Sequence, residues 1–138
     1  MTLREVLHAH IPYLTPASTV QDAVDKLDIY QFPALVVVDE DEKVIGVLTE
    51  GDLCRAVVGR GNLATMADDP ASSYMSREPV VGGLDTEIGD AFHQMLSSGL
   101  TLLPVVADEK LMGIVLRVDL MHAMLVDRAE QLDPGTPA

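Results

Sequence analysis

Thr49 and Asp52 stand three residues apart, between the apolar run 44–48 and a segment with helical spacing. A carboxylate only accepts hydrogen bonds and has room for both hydroxyls of a vicinal diol, which suits Asp52 to a sugar. A helix start exposes unpaired N–H groups and a partial positive charge, which favour phosphate. Thr49 sits at such a start and adds a hydroxyl donor. The same two residues also satisfy a plain helix cap, with the hydroxyl at N-cap and the acid at N3. Capping and ligand binding are compatible, so both readings stay open.

The arrangement occurs twice. Gly46-Val47-Leu48-Thr49-Glu50-Gly51-Asp52 is answered by Gly113-Ile114-Val115-Leu116-Arg117-Val118-Asp119. The second copy keeps Gly and Asp but has Leu116 in place of the hydroxyl. It therefore loses both the cap and the phosphate donor. Arg117 follows directly and could supply a charge-assisted bond instead; the plainer reading is a solvated surface residue. Asp119 reads either as a second sugar acceptor or as an acid favoured by the helix dipole.

Two further segments recur in the same order, at offsets between 67 and 69 residues. Leu14–Val24 is answered by Gly82–Phe92, and Ala34–Asp39 by Leu103–Asp108. Each repeat reads as strand, helix, strand, turn, strand, helix. Val20, Ala23, Val24 and Leu27 fall on one helical face, with Ser18 and Gln21 as a capping box. Ile88, Ala91, Phe92, Met95 and Leu96 form the second such face, which stops near Gly99. Leu35–Val38 and Val44–Leu48 flank the acidic turn Asp39–Glu42 as a buried hairpin. Pro104–Val106 and Leu111–Leu116 repeat it with a shorter turn. The last helices begin near Asp52 and Asp119, and Gly59 ends the former. The expected boundaries are a first repeat over 1–60, a linker over 61–73, a second repeat over 74–128 and a flexible tail over 129–138. Neither repeat covers its own strands. The expected fold is therefore α/β (α+β), with two β-α-β-β-α repeats packed sheet to sheet in pseudo-twofold symmetry. Such a module leaves clefts where the halves meet.

Composition removes several classes. The chain has 138 residues, a length that suits one compact module without disulfides or metal. One Cys allows no internal disulfide and fits a reducing, cytoplasmic setting. No apolar run approaches the roughly 18 residues of a membrane span, and the N-terminal stretch does not read as a signal peptide. A net charge of −13 opposes a nucleic-acid backbone, but not a small nucleotide. His8 and His10 lack further metal ligands nearby. His93 and His122 lack catalytic partners. Asp39–Glu42 lacks the oxygen spacing of a calcium loop. Cys54 reads as a buried structural thiol. The methionines at 95, 112, 121 and 124 read as core or dimer interface. No nucleophile elbow, P-loop or dinucleotide fingerprint is present, so no catalytic residue, required cofactor or metal is expected.

These residues resemble a tandem pair of cystathionine-β-synthase-type (CBS) domains, the arrangement called a Bateman module. The likeness runs over about residues 1–128. Gly46…Thr49…Asp52 matches the family's Gly-hydrophobic-x-Ser/Thr-x-x-Asp. Tyr74–Val81 resembles its Met-Ser/Thr-x-x-Pro-Val opening, and Leu103-Pro104-Val105-Val106 supports it. The resemblance implies a regulatory module that binds AMP, ADP, ATP or S-adenosylmethionine between its repeats. It also implies a homodimer and a regulated enzyme or transporter as partner. In the family pattern the Asp takes the ribose and the Ser/Thr takes phosphate, while strand residues sandwich the adenine. Carried over, these roles fall to Asp52, Asp119, Thr49, Arg117, Tyr13, Leu35, Val81 and Pro104. A ligand-free scaffold for association is the other reading.

Overall fold

A computed structural model of the chain describes residues 1–132. Within them lie two sheets and four α-helices, the mixed α/β class that the repeat predicts. The chain divides into two compact units. One holds residues 10–79 and 108–111 and contains Asp52. The other holds residues 1–9, 80–107 and 112–132, and contains Asp119.

In the Asp52 unit, β1 (Tyr13–Leu14), β2 (Ala34–Val38), β3 (Val44–Thr49) and β4 (Ser76–Arg77) form one sheet in that order. β1 runs parallel to β2, so a crossover must join them, and α1 (Val20–Tyr30) provides it. β2 and β3 form the expected hairpin. Asp39 Oδ1 closes its turn by accepting from Asp41 N–H and Lys43 N–H. β2 is apolar throughout and buried at all five positions, as a strand covered on both faces requires. The core gathers Leu14, Val20, Ala23, Leu35, Leu48 and Leu53.

Three local expectations shift. The cap of α1 lies one residue later than the Ser18–Gln21 box. Thr19 Oγ1 accepts from Asp22 N–H at 3.2 Å, and Asp22 Oδ2 accepts from Thr19 N–H at 2.9 Å. A carboxylate is the stronger acceptor there, and Ser18 closes the preceding turn instead, accepting from Thr15 N–H. Next, α2 (Glu50–Arg60) runs through Gly59 and ends at Gly61, whose φ of 102° only glycine adopts readily. Finally, residues 61–73 carry two short 3₁₀ turns, Ala64–Met66 and Ala71–Ser73, and place Met66 and Ala71 in the core.

In the Asp119 unit, β5 (Gly82–Gly83), β6 (Leu102–Ala107) and β7 (Lys110–Leu116) form the second sheet, with β5 parallel to β6. α3 (Ile88–Ser98) is the crossover, and Gly99 ends it in the left-handed region as expected. The two-residue turn Asp108–Glu109 has positive φ at both positions, the geometry of a tight hairpin. α4 (Arg117–Leu132) extends past residue 129, where a tail was expected; residues 133–138 lie outside the described residues. The core joins Leu3, Ile88, Ala91, Met95, Leu103, Val105, Val115 and Leu120.

The units exchange the opening segments of the repeats. Residues 1–9 pack in the Asp119 unit, where His8 bridges Ile114 through hydrogen bonds of 2.8 and 3.0 Å. The start of the second repeat pairs as β4 against β3. Both motif glycines lie under these crossings. A Cβ on Gly113 would stand 2.3 Å from His8 O, and one on Gly46 would stand 2.3 Å from Met75 Sδ and 2.9 Å from Ser76 O. Glycine is needed there for close backbone approach.

Candidate functional site

The Thr49–Asp52 pair forms a complete capping box at the start of α2. Asp52 N–H donates to Thr49 Oγ1 at 3.0 Å, and Thr49 N–H donates to Asp52 Oδ2 at 2.9 Å. The box arises because β3 runs straight into α2, which puts Thr49 at N-cap and Asp52 at N3. Arg55, one turn on, donates to Asp52 Oδ1 at 2.7 Å. The Asp52 side chain is largely buried while Arg55 is 74% exposed. The box thus satisfies the Thr49 and Asp52 N–H groups at this end and holds the carboxylate in place.

The other residues expected in this set divide. Tyr13 is exposed on β1 and stands in register with Val36. Leu35 is 1% exposed and packs in the core, so its side chain lines no surface. Ala34 is the β2 residue in register with Thr49. Strand alternation places Leu35 on the opposite face from Ala34 and Val36.

The Asp119 unit holds the second set. Leu116 offers no hydroxyl, yet Asp119 keeps half of the box: its Oδ2 accepts from Leu116 N–H at 2.8 Å. The same oxygen meets His8 Nε2, also at 2.8 Å. Arg117 is exposed, Val81 is exposed just before β5, and Pro104 is buried within β6. A cavity of about 360 Å³ opens beside Asp119, lined also by Met1, Glu5, Val6, His122 and Ala123. Its size falls in the range of small-molecule clefts, roughly 300–1,000 Å³. The eight expected residues thus separate into two sets of four, one in each unit.

Sequence reasoning weighed His8 only as a metal ligand beside His10. No cluster of three or more metal-ligating side chains occurs among the described residues. The signal that finds His8 is repeat register: it occupies the place of Ser76, 68 residues on, and bridges Ile114 as Ser76 pairs with Val47. Cys54 is exposed rather than buried. The inward face of α2 is carried by Leu53, with Ala56 and Val57 packed beside it. One residue on from Leu53 is about 100° further round the helix.

Comparison with known proteins fits this duplicated architecture. The family model for the CBS domain matches residues 3–59 and 71–126. Over 124 residues the chain is 33% identical to an uncharacterized 17.7 kDa protein of Acidianus ambivalens, covering 89% of this chain and 71% of that one. It spans 62% and 44% of relatives from Methanopyrus kandleri and Methanocaldococcus jannaschii, and so matches only part of those longer chains. The crystal structure of CBSX2 in complex with AMP superposes with a TM-score of 0.79 at 25% identity, covering 92% of this chain and 98% of that one. Among the described residues no helix is long and apolar enough to cross a membrane. Both repeats, each with its Gly and Asp at the strand-to-helix junction, fall within the matched segments, and the chain belongs to the CBS domain family.

Proposed function

We propose that this chain is a regulatory module that binds an adenosine-containing ligand and conveys the bound state to a partner. The ligand class is AMP, ADP, ATP or S-adenosylmethionine, and the partner is an enzyme or transporter. The observation that carries the reading is the Thr49–Asp52 box, which fixes a carboxylate and a hydroxyl at the N-terminus of an 11-residue helix. Asp52 would accept the ribose hydroxyls, displacing the exposed Arg55, whose surface pairing is weak. The Thr49 hydroxyl would donate to phosphate at this helix start. The relative crystallised with AMP supports the ligand class. The net charge of −13 favours ligands with few phosphates, or ones that carry a divalent cation. The module acts by binding rather than by catalysis, in the cytoplasm.

Calorimetry with the four ligands tests the reading. Binding is expected for at least one of them. Asp52→Ala is expected to weaken it by about 1–3 kcal/mol, the cost of losing charged hydrogen bonds. No heat and no thermal shift with any of them at millimolar concentration would overturn the proposal.

A scaffold role in association is the second reading, and one observation favours it. Val118, Met121 and Leu125 lie at i, i+3 and i+7 on α4 and are all exposed. A stripe of this kind suits a homodimer contact. Light scattering separates the readings. A dimer unchanged by nucleotide supports the scaffold, and a monomer at every concentration removes it.

A further inference from the structure

The two motif acids occupy matching places, but different groups hold them. Asp52 Oδ1 accepts from Arg55, a long exposed side chain on the same helix. That pair is easily opened, because an exposed ion pair of this spacing contributes little. Asp119 has a competitor from another segment instead. Its Oδ2 takes both Leu116 N–H and His8 Nε2, each at 2.8 Å, while Oδ1 accepts nothing among the described residues. His8 reaches Asp119 from an anchored backbone, with its side chain 43% exposed. Its own N–H and C=O are both bonded to Ile114, its carbonyl rests over Gly113, and its side chain is short. Ser76, its counterpart in the Asp52 unit, is not among the partners of Asp52.

We propose that His8 is a specificity-determining residue: a built-in competitor for the diol-accepting carboxylate of the Asp119 unit. It makes the two copies of the motif unequal, so that a vicinal-diol ligand fills the Asp52 unit first. The inference rests on the reading above, in which each motif Asp accepts ribose hydroxyls. A diol needs two acceptor positions on the carboxylate. With Nε2–H donating to Oδ2 beside Leu116 N–H, only Oδ1 remains open, and the second hydroxyl must compete with the imidazole. The missing hydroxyl at Leu116 and the imidazole at His8 thus weaken the same copy.

Calorimetry with AMP tests this in an Asp52→Asn background, where the Asp119 carboxylate is the remaining diol acceptor. Adding His8→Ser reproduces the Ser76 arrangement and keeps the backbone bridge to Ile114. The double variant is expected to bind AMP about three- to tenfold more tightly than Asp52→Asn alone, the factor that one competing hydrogen bond accounts for. His8→Gln, which keeps a donor, is expected to stay near the Asp52→Asn value. The gain is expected to shrink with 2′-deoxy-AMP, which lacks the diol. Equal or weaker AMP binding after His8→Ser overturns the inference, as does an equal gain with 2′-deoxy-AMP. If wild-type protein binds AMP while His8→Ser brings no gain, this inference alone falls. If neither wild type nor the His8→Ser single variant binds AMP or any of the other three ligands, the reading above falls and this one falls with it.

Discussion

Side chains beside helix starts and turns set much of the local order in this chain. Tyr74 is one case outside the motif. Its hydroxyl donates to Asp69 Oδ2 at 2.5 Å, and Arg60 lies 3.3 Å from the same oxygen. That hydrogen bond, helped by burial and opposed by Arg60, holds the phenol above its ordinary value of 10.0. A raised pKa in the folded state stabilises below the unfolded value and is lost as pH rises through the folded one. Urea denaturation is therefore expected to show wild type losing stability beyond pH 10 more steeply than Tyr74→Phe. Equal slopes would remove the hydrogen bond from the folded state. At this scale the sequence speaks where partners are close in the chain. Thr49, Asp52 and Asp119 are legible because a capping box spans three residues. His8 is not, because its partner lies 111 residues away. The core position of Leu35 is not legible, because β2 is apolar on both faces and alternation leaves no mark.

At the scale of elements, glycines mark where backbone must pass over backbone and where it need not. Gly113 and Gly46 each lie under a crossing segment, whereas Gly59 sits inside α2 with nothing within 4 Å of an added Cβ. Gly113→Ala is expected to cost about 1–3 kcal/mol by overpacking, because backbone of the N-terminal segment must lift. Gly59→Ala is expected to stabilise by about 0.4–1 kcal/mol through helix propensity and a stiffer unfolded chain. Thermal and urea melts of the two variants check the opposite signs. The elements themselves are largely legible, since hydrophobic period and turn chemistry agree over both repeats. The boundaries that moved did so where two local signals compete. Ser18 and Thr19 both offer a capping hydroxyl, and Gly59 and Gly61 both offer a stop.

For the whole molecule, the duplicated sequence does not map onto two units cut between the repeats. The family and the two-repeat pattern are plain from order and spacing. The exchange of opening segments is not, because residues 1–9 pack with the second repeat and 71–79 with the first, and neither segment carries a pattern that says so. A fragment of residues 1–60 lacks β4 and leaves the edge of β3 unpaired, whereas 10–79 keeps that sheet and its core. The longer fragment is expected to give cooperative melting by circular dichroism and the shorter one to aggregate, as an open apolar edge does. Cooperative melting of 1–60 would contradict the exchange. The exchange also orders events on the ribosome. Residues 1–9 emerge ahead of the Asp52 unit, yet the partner of His8 on β7 emerges more than a hundred residues after it. During synthesis that segment must wait for β7 while the Asp52 unit assembles, and its docking closes a loop of more than a hundred residues, a slow late step.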